Sequence, residues 1–365
     1  SEYGIAHFTE HALFKGTRRR RAYQVNCRLE NLGGELNAYT TKEDTTLHAT
    51  TLRSDFSKAV ELIADIAFHS TFPERELAKE REVIADEINT YKDSPAEMIY
   101  DSFEDMIFAD SELGHNILGS KASLARYTTQ HLTDFVSRTY TTDQMVFSSI
   151  GGFSARTAQQ TAMRYLSEAS TPRRGFERMR AGAYAPFRTA QSKHTHQTHC
   201  IIGNRGYGLG DARRLPLSLL TNILGGPSAN SLLNISLREK HGLSYNIEAS
   251  YTPYTDDGIV SIYFSSDHGN ADHCMELIHK QLKALCDQPL SSRALSTARK
   301  QFIAQMSISM ESNEGYMLGA GKSYLVHNDM DTLDEAYAKV MAITAEEITE
   351  AARETFADMS YLIYK

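Results

Sequence analysis

Long apolar runs are absent. No stretch approaches the roughly 18 consecutive apolar residues that span a bilayer, which excludes a chain built of membrane helices. Cysteine is scarce: Cys27, Cys200, Cys274 and Cys286 are scattered, with no CxxC pair. That pattern fits neither a disulfide framework nor a zinc finger, and it points to buried free thiols in a reducing compartment. A basic excess is missing too. The 38 Lys and Arg against 46 Asp and Glu give 38 − 46 = −8. Phosphate neutralisation needs a basic surface, so a general nucleic-acid binder is excluded. The run Arg18–Arg21 is a local exception, either a polyanion site or a solvated face. The opening Ser1-Glu2-Tyr3-Gly4 lacks the basic start and apolar run of a secretory signal, and the expected compartment is the cytoplasm. What is present is ordinary globular material. The chain has 365 residues, 41% hydrophobic and 23% charged, enough for a sizeable core and about two domains.

Apolar periodicity and its breakers organise the chain. Helices are expected over 5–16, 22–32, 55–69, 74–92, 96–108, 128–139 and 155–167. The stretches ELNAYT and TTLHATTL flank a polar turn and read as a hairpin, and MVFSSIGG at 145–152 reads as a strand. Around 168–196 the apolar period gives way to Ser, Thr, Pro, Arg and His, as in a linker. The second half then repeats the order of the first. Helices at 215–224 and 229–240 surround the turn Gly225-Gly226-Pro227. Strands follow at 244–252 and 258–266, helices at 270–287, 291–311 and 345–356, and a last strand SYLIYK. One element order twice suggests an internal duplication. The expected architecture is α+β: two similar domains, each an antiparallel-rich sheet with helices packed on one face. The divisions are 1–170, a linker at 171–193, and 194–365.

The chemistry centres on His7-Phe8-Thr9-Glu10-His11. Residues four apart on a helix lie about 40° apart around its axis, so the two imidazoles point the same way and can grip one metal ion, best Zn²⁺. Glu10 borders that face, where it can act on water. This H-x-x-E-H order is the inverted zincin motif; the alternative is a pair of packed or solvated helix histidines. Zinc needs a third protein ligand and an open position. The helix at 74–90 offers Glu76, Glu80, Glu82 and Glu87. Glu80 and Glu87 lie two turns apart on one face, beside the apolar Leu77, Val83, Ile84 and Ile88. A buried carboxylate needs a partner; the alternative is a solvated acidic edge.

The segments GIAHFTEHALFKGT, NLGGELNAYTTKEDT, FPERELAKEREVIADEI and LREKHGLSYNIEAS stand in the order and spacing of the pitrilysin/insulysin-type metallopeptidases. That family includes mitochondrial processing peptidase and its bacterial two-domain relatives. The resemblance covers nearly the whole chain. It puts the family's glutamate ligand 76 positions after the second His, where Glu87 stands, and a supporting carboxylate seven residues earlier, at Glu80. It thus implies one zinc per chain on His7, His11 and Glu87, with Glu10 as general base. It also implies that Arg238 and Tyr245, seven apart in REKHGLSY, hold the substrate at the scissile carbonyl. Both are good donors for an oxyanion; without the resemblance they read as an exposed Arg and a strand-core Tyr. Asn37, Ala38, Tyr39 and Thr40 match the family's substrate-binding edge, where an extended peptide adds to a sheet; an ordinary strand is the alternative. Family members carry strands ahead of the first His that have no counterpart before His7.

Two signals are weaker. His194, His196 and His199 resemble a metal cluster, yet on a strand the third faces away from the first two. Gly206-x-Gly208-x-Gly210 lacks dinucleotide spacing and reads as a loop. The expected function is a zinc endopeptidase acting on unfolded peptides. Its two-domain chains are expected to pair as a homodimer, each half of a clam-shell chamber, with no nucleic-acid partner. The rival is a non-catalytic peptide-binding or assembly subunit, and a periplasmic or secreted enzyme is the alternative for compartment.

Overall fold

Glycine and proline punctuate the helices near the expected places. The computed structural model describes residues 2–167 and 178–365. The first elements are α1 (Ile5–Leu13), α2 (Ala22–Glu30), β1 (Glu35–Thr40), β2 (Thr45–Thr50), α3 (Phe56–His69), α4 (Glu74–Lys92) and α5 (Pro95–Ile107). The short α6 (Lys121–Leu124), then α7 (Thr129–Thr139) and α8 (Ala155–Leu166), follow. Later come β3 (Arg188–Gln191), β4 (Thr198–Gly206), α9 (Arg214–Gly225), a π-helical turn (Asn234–Glu239), β5 (Asn246–Pro253) and β6 (Gly258–Ser266). The chain closes with α10 (Ala271–Asp287), α11 (Ser292–Ser309), α12 (Asn313–His327), α13 (Leu333–Ala342), α14 (Ala345–Thr355) and β7 (Ser360–Tyr364).

Two compact units emerge. The first draws on Ser1–Asp93, His115–Met179 and Glu311–Asp329, the second on Ser94–Gly114, Arg180–Met310 and Met330–Lys365. Two segments therefore lie with the opposite half of the sequence, which contiguous domains do not anticipate. Charge holds one of them: on α12, Glu314 accepts from Thr50 at 2.9 Å, and Lys322 reaches Asp44 at 3.0 Å. Apolar burial holds the other: Ile99, Phe103 and Ile107 of α5 are fully buried in the second unit.

In the first unit, Phe8, Ala12 and Leu13 of α1 join Leu62, Ile66, Leu77, Ile84 and Ile88 in a core made mainly of helices. Val83, expected on the packed face of α4, is 45% exposed because it lies about 100° around the helix from Ile84. The hairpin is antiparallel, Asn37 facing His48 and Thr40 facing Thr45. Among the described residues it is the whole sheet of this unit. The segment 145–152 is not a strand: no ladder forms there, so the β-favouring residues Val146, Phe147 and Ile150 stay partly exposed. Arg20 is neither solvated nor free for a polyanion. Its guanidinium bonds Glu61 at 2.7 Å and Asp65 at 2.6 Å, while Arg18, Arg19 and Arg21 are exposed.

The second unit carries a five-stranded sheet in the order β3-β7-β4-β6-β5, antiparallel except for β3 with β7. Every residue of β6 is buried. Val260, Ile262 and Phe264 face the core with α9, α10 and α14, whereas Ile259 and Tyr263 face α5. Burial on both faces replaces the expected single helical face, because α5 covers the other side. Of the stretch 171–193 expected to be a linker, 171–177 lies outside the described residues, and 188–191 forms β3. Its sequence RTAQ has no apolar alternation; backbone bonds to β7 make the strand. The expected helix at 229–240 is regular only around the π turn, and α12 and α13 were not anticipated. At the end of α9, a Cβ on Gly225 would sit 2.6 Å from the Ala249 nitrogen, so this glycine is required by close helix–strand approach.

Candidate metal centre

Gly4 sets the start of α1. It has φ +82, which favours glycine, and a Cβ there would lie 2.6 Å from Gly119 Cα. From that fixed start the helix turns about 100° per residue, so His7 and His11 follow one another along one face, and Lys15 stands two residues beyond the helix end at Leu13. The imidazoles of His7 and His11 lie 4.6 Å apart, centre to centre. Helix α4 packs on this face and presents Glu87 and, two turns earlier, Glu80.

Glu87 Oε2 lies 3.9 Å from His7 Nε2 and 3.7 Å from His11 Nε2. The three candidate ligand atoms fall within 4.8 Å of one another, the one such grouping among the described residues. The other side of His11 is engaged: Nδ1 lies 3.1 Å from Glu80 Oε2. An ionised carboxylate only accepts, so Nδ1 carries a proton, and in the neutral ring the lone pair is on Nε2, on the side of Glu87. Glu80 Oε1 in turn receives Lys15 Nζ at 2.6 Å. Two imidazole nitrogens and a carboxylate oxygen form a zinc-type donor set, and a carboxylate behind one imidazole is the usual support for such a ligand. The residues fit a zinc ion.

Burial sets the electrostatics. Desolvation, aided by the nearby His11, lowers His7 to about 4, so its ring is neutral near pH 7, as a ligand must be. For His11, burial alone works in the same direction. It is outweighed by the Glu80 hydrogen bond and by the charges of Glu87, Glu80 and Glu10, and His11 is raised. Glu80 is lowered although burial opposes this, because His11 and Lys15 both stabilise its charge.

Glu10 neighbours the triad, and its Oε2 is buried with no hydrogen bond. The Tyr140 hydroxyl is also buried; burial, with the charge of Glu10 added, pushes this phenol up against an opposing hydrogen bond from Thr45. Sequence reasoning passed over Lys15 and Tyr140. Lys15 had a legible signal, four residues beyond His11; Tyr140 had none.

Among the described residues β1 ladders only to β2, with Asn37 and Tyr39 exposed and Ala38 and Thr40 half-buried. In the second unit, Arg238 is exposed near the end of the π turn, 3.8 Å from Glu239. Tyr245 is 77% exposed and precedes β5, so it is not a strand-core residue. The other histidine cluster does not assemble as a metal site. His194 and His196 are exposed and outside β4, and His199 Nδ1 lies 2.8 Å from the Tyr263 hydroxyl. Gly206 ends β4 and Gly208 and Gly210 fall in the following turn. All four cysteines are free, Cys200 and Cys274 buried, Cys27 and Cys286 half-buried.

An H-x-x-E-H helix packed against a glutamate-bearing helix is the arrangement of an inverted-motif metal site. The comparisons narrow that class. The family model described as "Insulinase (Peptidase family M16)" matches residues 1–121, and that described as "Peptidase M16 inactive domain" matches residues 126–302. A Bacillus subtilis protein named "Uncharacterized zinc protease YmxG" is 31% identical over 356 residues, covering 97% of this chain and 86% of that protein. An "Uncharacterized zinc protease" of Rickettsia bellii is 30% identical, covering 98% and 86%. The chain belongs to peptidase family M16. The fold is also that of a Helicobacter pylori protease (TM-score 0.87, 19% identity, 100% of this chain and 89% of that one). A Pseudomonas fluorescens structure titled as the M16 inactive domain matches at TM-score 0.89 and 17% identity, with the same coverage.

Proposed function

We propose that this protein is a zinc-dependent endopeptidase that hydrolyses unfolded peptides, with one zinc per chain on His7, His11 and Glu87. The observation that carries the reading is the convergence of these three donors beside a buried, unbonded Glu10 carboxylate oxygen. Bound there, zinc supplies a Lewis acid that polarises the scissile carbonyl and acidifies water. Glu10 accepts the water's proton and returns it to the leaving amine. Glu80 orients His11. The unladdered edge of β1, at Asn37–Thr40, pairs with the substrate backbone, a largely sequence-blind mode suited to varied peptides. Arg238 and Tyr245 donate to the oxyanion. No helix among the described residues is long and apolar enough to cross a membrane; the four free cysteines support a cytoplasmic setting.

The test is Glu10→Gln, which keeps the side-chain shape but cannot take a proton. Zinc content should stay near one per chain, while cleavage of a quenched peptide falls about 10²–10⁴-fold. Unchanged turnover would point to another base; no turnover in the wild type would favour the non-catalytic subunit. The working unit is a homodimer with shared sites, a reading supported by the separation of the zinc ligands and Arg238/Tyr245 into different units. Mixing inactive Glu10→Gln and Arg238→Ala chains should restore part of the activity. If mass measurement shows mixed dimers and no activity returns, the shared site is wrong.

A further inference from the structure

We propose that Lys15 is a positioning residue of the metal centre: it holds Glu80 in place so that Glu80 fixes the ring of His11. The inference rests on the zinc reading above and extends the metal-site motif past the end of α1, from H-x-x-E-H to H-x-x-E-H-x-x-x-K.

The argument begins with Glu80, which is 7% exposed on the packed face of α4. A buried carboxylate persists only with partners for its oxygens. Glu80 has one on each: Lys15 Nζ at 2.6 Å from Oε1 and His11 Nδ1 at 3.1 Å from Oε2. The lysine contact is the shorter. Lys15 just follows α1, its backbone nitrogen bonded to the Ala12 carbonyl at 3.1 Å, and its side chain is largely covered. Its ammonium has donors only, so it cannot be a ligand. What it can do is pin one oxygen of Glu80, leaving the second aimed at His11.

Glu80 then decides the presentation of His11. With Nδ1–H held by Glu80, the ring cannot rotate freely and Nε2 stays directed toward Glu87, 3.7 Å away. Without Lys15, one oxygen of Glu80 is buried unpaired and the carboxylate gains by turning toward water. His11 then loses its anchor, although no metal ligand has been touched. Outer partners of metal-bound histidines typically contribute 10–100-fold in metal affinity.

Zinc affinity by chelator competition tests this, with circular dichroism reporting fold. Lys15→Met should weaken zinc binding about 10-fold or more. Lys15→Arg, which keeps the charge and the donors, should recover most of the loss, and Lys15→Gln serves if the Met variant does not fold. The decisive measurement is a cycle with Glu80→Gln: in that background Lys15→Met should cost almost nothing further, since Lys15 acts through Glu80. In peptide cleavage at saturating zinc, kcat should fall more than KM rises. Unchanged affinity in a folded Lys15→Met or Lys15→Gln protein, or an equal loss with and without Glu80, overturns the proposal and leaves the peptidase reading standing. A wild-type chain that binds no zinc overturns both.

Discussion

The pair α1 and α4 in the first unit has a counterpart in chain order in the second, α9 and α11. In each half a first helix leads through a turn to a hairpin and then to two helices, and in each the first helix packs on the last. The fillings differ. Helix α1 carries His7, Glu10 and His11 against Glu80 and Glu87. Helix α9 carries Leu217, Leu219, Leu220 and Leu224, all fully buried, and α11 has no carboxylate at all. The second pair is bridged instead by a neutral bond from Asn222 to Gln305 at 2.7 Å. The helix pair thus packs well with apolar and amide side chains. Burying ionisable groups costs folding free energy, so the charged set of the first unit is not demanded by the architecture and fits the proposed metal site. The description of residues 126–302 as an inactive domain agrees with this asymmetry.

The largest test of that contrast removes a ligand. His11→Ala should bring zinc from about one per chain to near none and abolish peptide hydrolysis, because two protein ligands hold zinc too weakly. Asn222→Ala, at the polar bridge of the other pair, should leave zinc content unchanged. Metal analysis of the two purified variants reads both, and an equal zinc loss in both would erase the distinction.

A core truncation should show the reverse pattern. Leu220 is fully buried in α9. Leu220→Ala should cost about 2–5 kcal/mol in denaturant unfolding while zinc per folded chain stays unchanged.

The smallest effect is one of pH. In the second unit, burial lowers His199; burial, then the charge of Arg188, lowers His279. Their ring nitrogens face the hydroxyls of Tyr263 and Tyr361 at 2.8 Å each. A depressed histidine is neutral in the fold, so the unfolded chain takes up protons first as pH falls. Stability from these groups is complete above the ordinary histidine value and is lost as pH falls through it toward the folded values. Comparing unfolding midpoints at about pH 7.5 and about pH 5.5, the decrease should be smaller in His199→Gln/His279→Gln than in the wild type. Equal decreases would place the acid sensitivity elsewhere.

Much of this was written locally. Spacing of four within α1 put the two imidazoles on one face, and Pro73 and Pro95 marked where helices start, whereas α1 ends at Leu13, three residues short of the expected stop at Gly16. Helix α13 was legible as well, through its Thr332/Glu335 capping box, but was passed over. Helix α12 was not: its apolar residues follow no helical stripe, and Glu314 and Lys322 link it to the hairpin.

By itself the sequence determined most of the helices and put His7 and His11 on one face, because helical period and H-x-x-E-H spacing act within a few residues. Tertiary structure alone decided four things. It brought Glu87 opposite His7 and His11, and it gave Glu80 to Lys15 as well as to His11. It turned RTAQ into a strand, and it sent α5 and α12 to the opposite units from their chain neighbours. Each depends on which surfaces meet after long stretches of chain have folded back, and neither side-chain period nor local propensity encodes that meeting.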